Sequence, residues 1–572
     1  MSYAYATAAP GARVSRAAAA SWAVPASVLL VAAVSPFERS LSVPFGGFTV
    51  TTVELAVAVA IATSGLAFVR SESRRDWLTP ITAPALAVLA SALVAAIAAP
   101  EFAGNALRVT GRLSAAFLLF AVIAHAAASA RVTRHIIATL LASAAIVGLV
   151  AVLELAQLPA VLDLLKNFRP GFHVVGGQLR ATSTLFYPTI ASMYLEVAFA
   201  LGLVFIASSR AAFVALVCCA AGVVATFTRA GLVTMVMSIA VFGAIAYVDS
   251  RRLTAVHARL AALVVVLAGL VMLSRSPQML VARMSTDISQ DWYGASYEVP
   301  DTLTLGPDSF NDIPITLGNS GRLTWQSSEE PVFALSYHWL TTGSEEVVIY
   351  DGLRTPFAQP IEPGGEVAFT ARVRAPGYPG TYLLVWDVVQ EHRTWLSLEG
   401  VFPGRTVVRV EGEAVTPPLA TQGRMPSGTM RMPRPVLWRT AVEIWRERPL
   451  LGIGPDNFRH TYGRRLGLAA WDRRVHANNT YLEVLAGMGA LGAAAVAWLA
   501  VAALRSALRA FAGIDADAGP VFAAAAAAVL AIAVHGLVDS FWTFTPTYAV
   551  FAIAAGLLFG RSLCGLPSTA PR

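Results

Sequence analysis

Residues 229–276 read RAGLVTMVMSIAVFGAIAYVDSRRLTAVHARLAALVVVLAGLVMLSRS. Two apolar runs, 230–248 and 259–274, flank a short loop bearing Arg251 and Arg252, with Arg259 at its far edge. At about 1.5 Å of rise per residue, helices of this size approach the ~30 Å hydrocarbon core of a bilayer, so both runs are expected to be membrane spans. Similar stretches recur outward from this pair, at 19–36, 50–69, 80–99, 113–130, 136–157, 187–207 and 211–227 upstream, and at 479–503, 520–537 and 545–561 downstream. The expected fold class is mainly α, a polytopic transmembrane bundle of about twelve spans. Many spans are rich in Ala, which lets helices approach closely.

The rest of the composition agrees. Charged residues make up 13% of the 572 and hydrophobic ones 56%, and mean hydropathy is +0.61. Of the 77 charged residues, 42 lie between Arg275 and Arg474, so a large water-facing insertion interrupts the bundle. The formal charge of +7 comes mainly from arginines in short loops, the positive-inside pattern, and no nucleic-acid partner is expected. With the N-terminus cytoplasmic, the inside segments hold Arg13, Arg16, Arg70, Arg74, Arg75, Arg131, Arg134, Arg210, Arg251, Arg252, Arg259, Arg505, Arg509, Arg561 and Arg572. Short outside loops hold about half as many. Both termini are therefore expected on the cytoplasmic side of the cytoplasmic membrane and the insertion on its outer side. Cys218 and Cys219 lie mid-span and Cys564 near the C-terminus, a pattern that proposes neither a disulfide framework nor a metal site.

The insertion changes character at about residue 301. Runs such as PITLGNSGRLTW, EEVVIYDG, GEVAFTARVRAPGYPGTYLLVWDVV and RTVVRVEG are β-branched or aromatic and punctuated by Gly, Pro, Asn and Asp. They predict an antiparallel β-sandwich over 301–412, and NSGRLTW with APGYPGTYLLVWDV resembles immunoglobulin-like modules of bacterial surface proteins. Trp325, Trp339, Trp386 and Trp395 fit either its core or a sugar-binding face. Residues 434–449 place Leu437, Ala441, Ile444 and Trp445 on one helical stripe, an amphipathic helix lying on the membrane surface or on the bundle. The chain then divides into a cytoplasmic tail 1–18, nine spans within 19–274, and a linker 275–300. The β-sandwich 301–412 follows, then an extracytoplasmic loop 413–478, three spans within 479–561 and a cytoplasmic tail 562–572.

RPLLGIGPDNFRHTYG (448–463) followed by VHANNTYLEVLAGMGALG (475–492) resembles the signature of the O-antigen ligase and polymerase superfamily. RATSTLFYPTIASMYLE (180–196) and TFTRAGLV (226–233) resemble two upstream stretches of the same family. The likeness covers about 140–274 and 434–500 and leaves the β-module unexplained. It implies a bacterial membrane glycosyltransferase. The donor would be a polyprenyl-diphosphate-linked glycan, the acceptor a glycan, lipid or protein hydroxyl, and no cofactor is called for; membrane lipids are the remaining partner. One departure stands out: the family commonly has His directly before the Asn, whereas here Asn478 precedes Asn479 and His476 lies two positions back.

The residues themselves point the same way. Arg229 sits between apolar runs with no acidic residue within about fifteen positions along the chain, and a bound anion would offset the cost of burying it. Arg180 lies in an outer loop near Lys166 (the single lysine) and Arg169. Forked guanidinium donors suit a pyrophosphate. Arg180 and Arg229 are thus the expected donor-binding and catalytic arginines, and His476, whose type titrates near neutrality, is the expected base. Asn479, Tyr481 and Glu483 are expected to bind substrate, while Gly452, Gly454 and Pro455 shape a loop over the site. Glu196 and Glu154 lie in spans, where a carboxylate is a functional candidate, and Glu54 and Asp539 are more ambiguous. The expected reaction is inverting and needs no metal if arginines supply the positive field. A different class, a transporter or flippase of a lipid-linked or polar substrate, also fits about twelve spans. Unequal halves of nine and three weigh against it.

Overall fold

A computed structural model describes residues 11–560 except 43–48, 72–76, 170, 172, 176–177, 287–289, 330–331, 426–431, 469–470 and 514–517. The expected C-terminal tail 562–572, most of the N-terminal tail, Arg74, Arg75, Arg561, Arg572 and Cys564 lie outside the described residues, as do the side chains of Arg13 and Arg16.

Among the described residues, seven helices are long and apolar enough to cross a membrane: Thr52–Arg70, Ala103–Ala126, Ala130–Leu155, Pro188–Phe205, Arg229–Val248, Ala255–Ser274 and Thr480–Ala512. Shorter apolar helices, Trp22–Val34, Thr82–Ile97, Arg210–Ala225, Gly519–His535 and Thr545–Phe559, stand at the other five expected positions. The largest boundary error concerns the span expected at 113–130. The helix begins at Ala103, because Arg108 and Arg112 interrupt the apolar run but not the helical backbone.

The helix Pro188–Gly202 is buried over almost its whole length. It packs against the helices at 130–155, 210–225, 229–250, 519–535 and 545–559. Small residues make that density possible. A Cβ on Gly148 would come within 2.2 Å of the Cys218 carbonyl oxygen, so the 130–155 and 210–225 helices touch backbone to backbone.

The insertion forms two sheets. The larger runs in the order Thr355–Pro356, Phe333–Thr341, Gly380–Gln390, Gly404–Val410 and Thr302–Leu305, with Val347–Ile349 and Thr394–Trp395 pairing at its side. The smaller joins Glu366–Arg374, Phe310–Asn319 and Ala295–Glu298. Inward residues of both sheets, including Ile315, Val373, Trp339, Trp386 and Val408, share one hydrophobic core. Trp325, Trp339 and Trp386 are fully buried there. Trp395 is only partly buried and carries the Arg354 guanidinium 5.0 Å from its ring centroid. The expected linker 275–300 is not featureless: it holds a helix, Pro277–Ser285, and the first strand, Ala295–Glu298. Phe227, from the turn between two apolar helices, joins the β-module's core and so anchors the module to the bundle.

The amphipathic helix Arg434–Glu447 buries Leu437, Thr440, Ala441 and Ile444 against protein, in a cluster with Phe458, Tyr462 and Ala486. Beside it, the helix Thr480–Ala512 breaks at Gly489 (φ 63°, ψ −163°). A loop hooks into the break. Ile453 and Gly454 donate to the Ala486 and Gly487 carbonyls at 3.0 and 2.9 Å, and Ala490 and Leu491 donate to Pro449 and Leu450 at 2.7 and 3.2 Å. Gly489 needs its missing Cβ twice over, since its φ is left-handed and a Cβ would meet the Leu450 carbonyl carbon at 2.4 Å.

Candidate functional site

Arg180 ends a small hairpin, His173–Val175 paired with Gln178–Arg180. A buried carboxylate fixes the residues that follow. Glu154 accepts the amides of Thr182 and Ser183 at 3.1 and 2.7 Å and ion-pairs with Arg169 at 2.5 Å. Burial lowers the Arg169 pKa, opposed by the Glu154 charge. Glu154 is therefore a structural anchor for the segment just after Arg180.

Arg180 Nε donates to the Thr226 carbonyl and Nη2 to the Thr228 hydroxyl, both at 3.1 Å. Thr228 is also the N-cap residue of the helix beginning at Arg229, whose Nη1 reaches the Met284 carbonyl at 3.3 Å. Arg283 Nε donates to the Phe227 carbonyl at 3.2 Å and Arg434 Nε to the Val538 carbonyl at 3.0 Å. All four arginines border one cavity of about 480 Å³. Asp539 is the only carboxylate residue among the described residues that line it. The N-terminus of the 229–250 helix adds its own positive potential. Main-chain acceptors hold these cations in place before any ligand arrives.

One further titratable side chain borders the arginine cavity: His535, near the end of the 519–535 helix. Its Nδ1 is 2.7 Å from Glu196 Oε1, and Glu196 Oε2 accepts the Thr234 hydroxyl at 2.5 Å. The tautomer with the proton on Nδ1 leaves Nε2 as the acceptor nitrogen of the ring. Sequence reasoning singled out Glu196 but missed His535, which lies inside an apolar run and has no charged neighbour along the chain before Asp539.

His476 is elsewhere. It lines a second cavity of about 520 Å³ with Glu38, Arg39, Glu54, Arg112, Tyr187, Asp456, Arg459 and Arg474. The non-helical segment 474–478 walls both spaces: Val475 and Asn478 border the first, Arg474 and His476 the second. The position held by Asn478 thus belongs to the arginine cavity, and His476 does not replace it there even though the segment is a loop. His476 Nδ1 is 3.4 Å from Asp456 Oδ1 and 3.8 Å from Glu483 Oε1. Burial pushes its pKa down, but the two carboxylates outweigh burial and hold it above the ordinary histidine value. Burial also raises the Glu38 carboxyl. No metal-ligand cluster is visible in the sequence, yet the fold brings Asp456, His476 and Glu483 together.

The remaining expected residues are structural in their contacts. The Asn479 side chain caps the 480–512 helix by accepting the Tyr481 and Leu482 amides at 3.0 Å, and it donates to the Leu537 carbonyl at 2.8 Å. The Tyr481 hydroxyl donates to the Ala533 carbonyl at 2.8 Å. Neither residue borders the two cavities. Gly452 and Gly454 lie in the loop hooked into the helix break, with φ of 66° and 97°. Pro455 lines a small cleft with Asp456 and Glu483.

Residues 395–497 match the family model described as O-antigen ligase, which supports the O-antigen ligase and polymerase superfamily. No curated protein gives a significant match to the chain. The family match and the apolar helices support a multi-pass membrane protein with a glycosyltransferase-like function in glycan assembly.

Proposed function

We propose that this protein transfers a glycan from a polyprenyl-diphosphate carrier to an acceptor hydroxyl at the outer face of a bacterial cytoplasmic membrane. The observation behind this reading is the cavity bordered by four oriented arginines and a helix N-terminus beside the ends of apolar helices. A lipid diphosphate carries the charge that lining suits, and its tail can stay among the helices. Arg180 and Arg229 bind the diphosphate, and Arg283 and Arg434 complete the field. The acceptor oxygen attacks the anomeric carbon as the bond to the diphosphate oxygen breaks, inverting the centre. Negative charge grows on the leaving diphosphate, where preorganised donors act most strongly.

The acceptor proton goes to His535 Nε2, with Glu196 fixing the ring and stabilising the imidazolium that forms. His535 takes this role in preference to His476 because it shares the cavity with the arginines. A glycan, lipid, protein or second lipid-linked repeat is each an eligible acceptor class.

The test is transfer by purified protein from a lipid-linked oligosaccharide, read as release of polyprenyl diphosphate. Full activity in the Arg180→Ala plus Arg229→Ala variant would sink the assignment. Movement of the lipid-linked glycan across liposomes without any acceptor would favour the transporter reading.

A further inference from the structure

We infer that Asp456, His476 and Glu483 bind one divalent transition-metal cation, at a site separate from the arginine cavity. The inference does not rest on the proposed transfer reaction.

Three chain segments meet here. Asp456 follows the hooked loop with a left-handed φ of 64°, His476 lies in the loop before the 480–512 helix, and Glu483 is in that helix's first turn. One ligand atom from each residue lies within 4.8 Å of the others, and His476 Nδ1 is 3.4 Å from Asp456 Oδ1 and 3.8 Å from Glu483 Oε1. All three atoms are buried and have no hydrogen-bond partner among the described residues. Asp456 and His476 are 5% and 8% exposed. Leaving buried carboxylate oxygens unsatisfied is costly, and here two of them lie near one buried imidazole nitrogen that also lacks a hydrogen-bond partner among the described residues.

The other carboxylate oxygens are occupied. Asp456 Oδ2 accepts from Arg459 Nε at 2.7 Å and Asn105 Nδ2 at 3.3 Å, and Glu483 Oε2 accepts the Ala477 amide at 2.8 Å. One oxygen held by protein and one left toward a common point is how outer contacts orient monodentate metal ligands.

Separation favours a cation over direct contact. A hydrogen bond wants N···O of about 2.7–3.2 Å. The observed 3.4 and 3.8 Å exceed it. Two donors on one ion with bonds of ~2.1 Å stand about 3.0–3.4 Å apart, so small rotations close the set on a metal. An imidazole nitrogen with two carboxylate oxygens suits Mn²⁺ or Zn²⁺, whereas Ca²⁺ takes about six to eight oxygens. Asp456 and His476 also border the second cavity.

The test uses full-length protein in nanodiscs, stripped with chelator and titrated with Mn²⁺ under electron paramagnetic resonance. One saturable Mn²⁺ per chain is expected, displaced by Zn²⁺, with affinity falling at least tenfold in Glu483→Gln and in Asp456→Asn. A second arm needs no variant: pulsed spectra of the wild-type complex should show coupling to an imidazole nitrogen. Absence of a saturable site, unchanged affinity in either folded variant, or bound Mn²⁺ without nitrogen coupling would each overturn the assignment.

Discussion

The two cavities share a wall only a few residues thick and differ in how their charge is arranged. Four arginines and one aspartate border the first, whereas Glu38, Glu54 and Asp456 sit among the four arginines of the second. In the second, Arg112 lies 3.7 Å from Glu54 and Arg459 lies 2.7 Å from Asp456. Pairing of that kind cancels the field a few ångströms away, so the second cavity offers an anion little that water does not. Among the described residues that line the first, arginines outnumber carboxylates four to one. The same number of arginines thus stands beside one lining carboxylate residue in the first and three in the second, among the described residues.

The hardest way to break this contrast is to remove the first cavity's charge. Arg180→Ala with Arg229→Ala should lower kcat/KM for glycan transfer by at least about 10³-fold. Charge removal from the second cavity by Arg39→Ala should lower it by less than about tenfold. Steady-state kinetics on purified protein decides. The histidines sharpen the comparison next. His535→Asn should cost about 10²-fold or more in kcat with little change in donor KM, and His476→Asn, compared at equal folded protein, less than about tenfold. Equal losses would mean that the two spaces form one reaction chamber.

A third prediction concerns what holds the first cavity's shape. Glu154 and Arg169 are almost wholly buried, so Glu154→Gln strands a cation. It should destabilise the protein by about 3 kcal/mol, seen as a lower Tm, because the surviving charge is left without its partner. The smallest effect is electrostatic screening. A tenfold rise in ionic strength should weaken donor binding only several-fold, since a partly buried site is screened less than a surface. Acceptor binding should change still less.

Much of the helical architecture is legible in the sequence, because lipid demands long apolar runs and tolerates few alternatives. The legibility fails where a helix outlasts its apolar run, as at 103–112, or where a strand such as Ala295–Glu298 alternates over only four residues, too few to read. Arg180 and Arg229 stand out because a cation among apolar residues demands an explanation. His535 does not, since a neutral imidazole passes as an ordinary member of a span, and only the fold reveals Glu196 at 2.7 Å. Asp456 is hidden differently: it reads as one letter of a Gly-Pro turn, and its meeting with Glu483 depends on how the hooked loop docks. Asn479 and Tyr481 differ in the opposite sense. Their motif context points to substrate, whereas their side chains bond main-chain carbonyls.

The hook at Gly489 bears on how sequences of this type are recognised. The matched stretch 395–497 contains Gly452, Gly454 and Gly489, whose backbones make or adjoin the joint. In a saturation-mutagenesis experiment these positions should be as intolerant as the arginines. Their losses would track the amount of folded protein in the membrane and not turnover. Part of what looks like a signature of chemistry is thus a signature of carpentry, and a chain could keep it after losing its reaction.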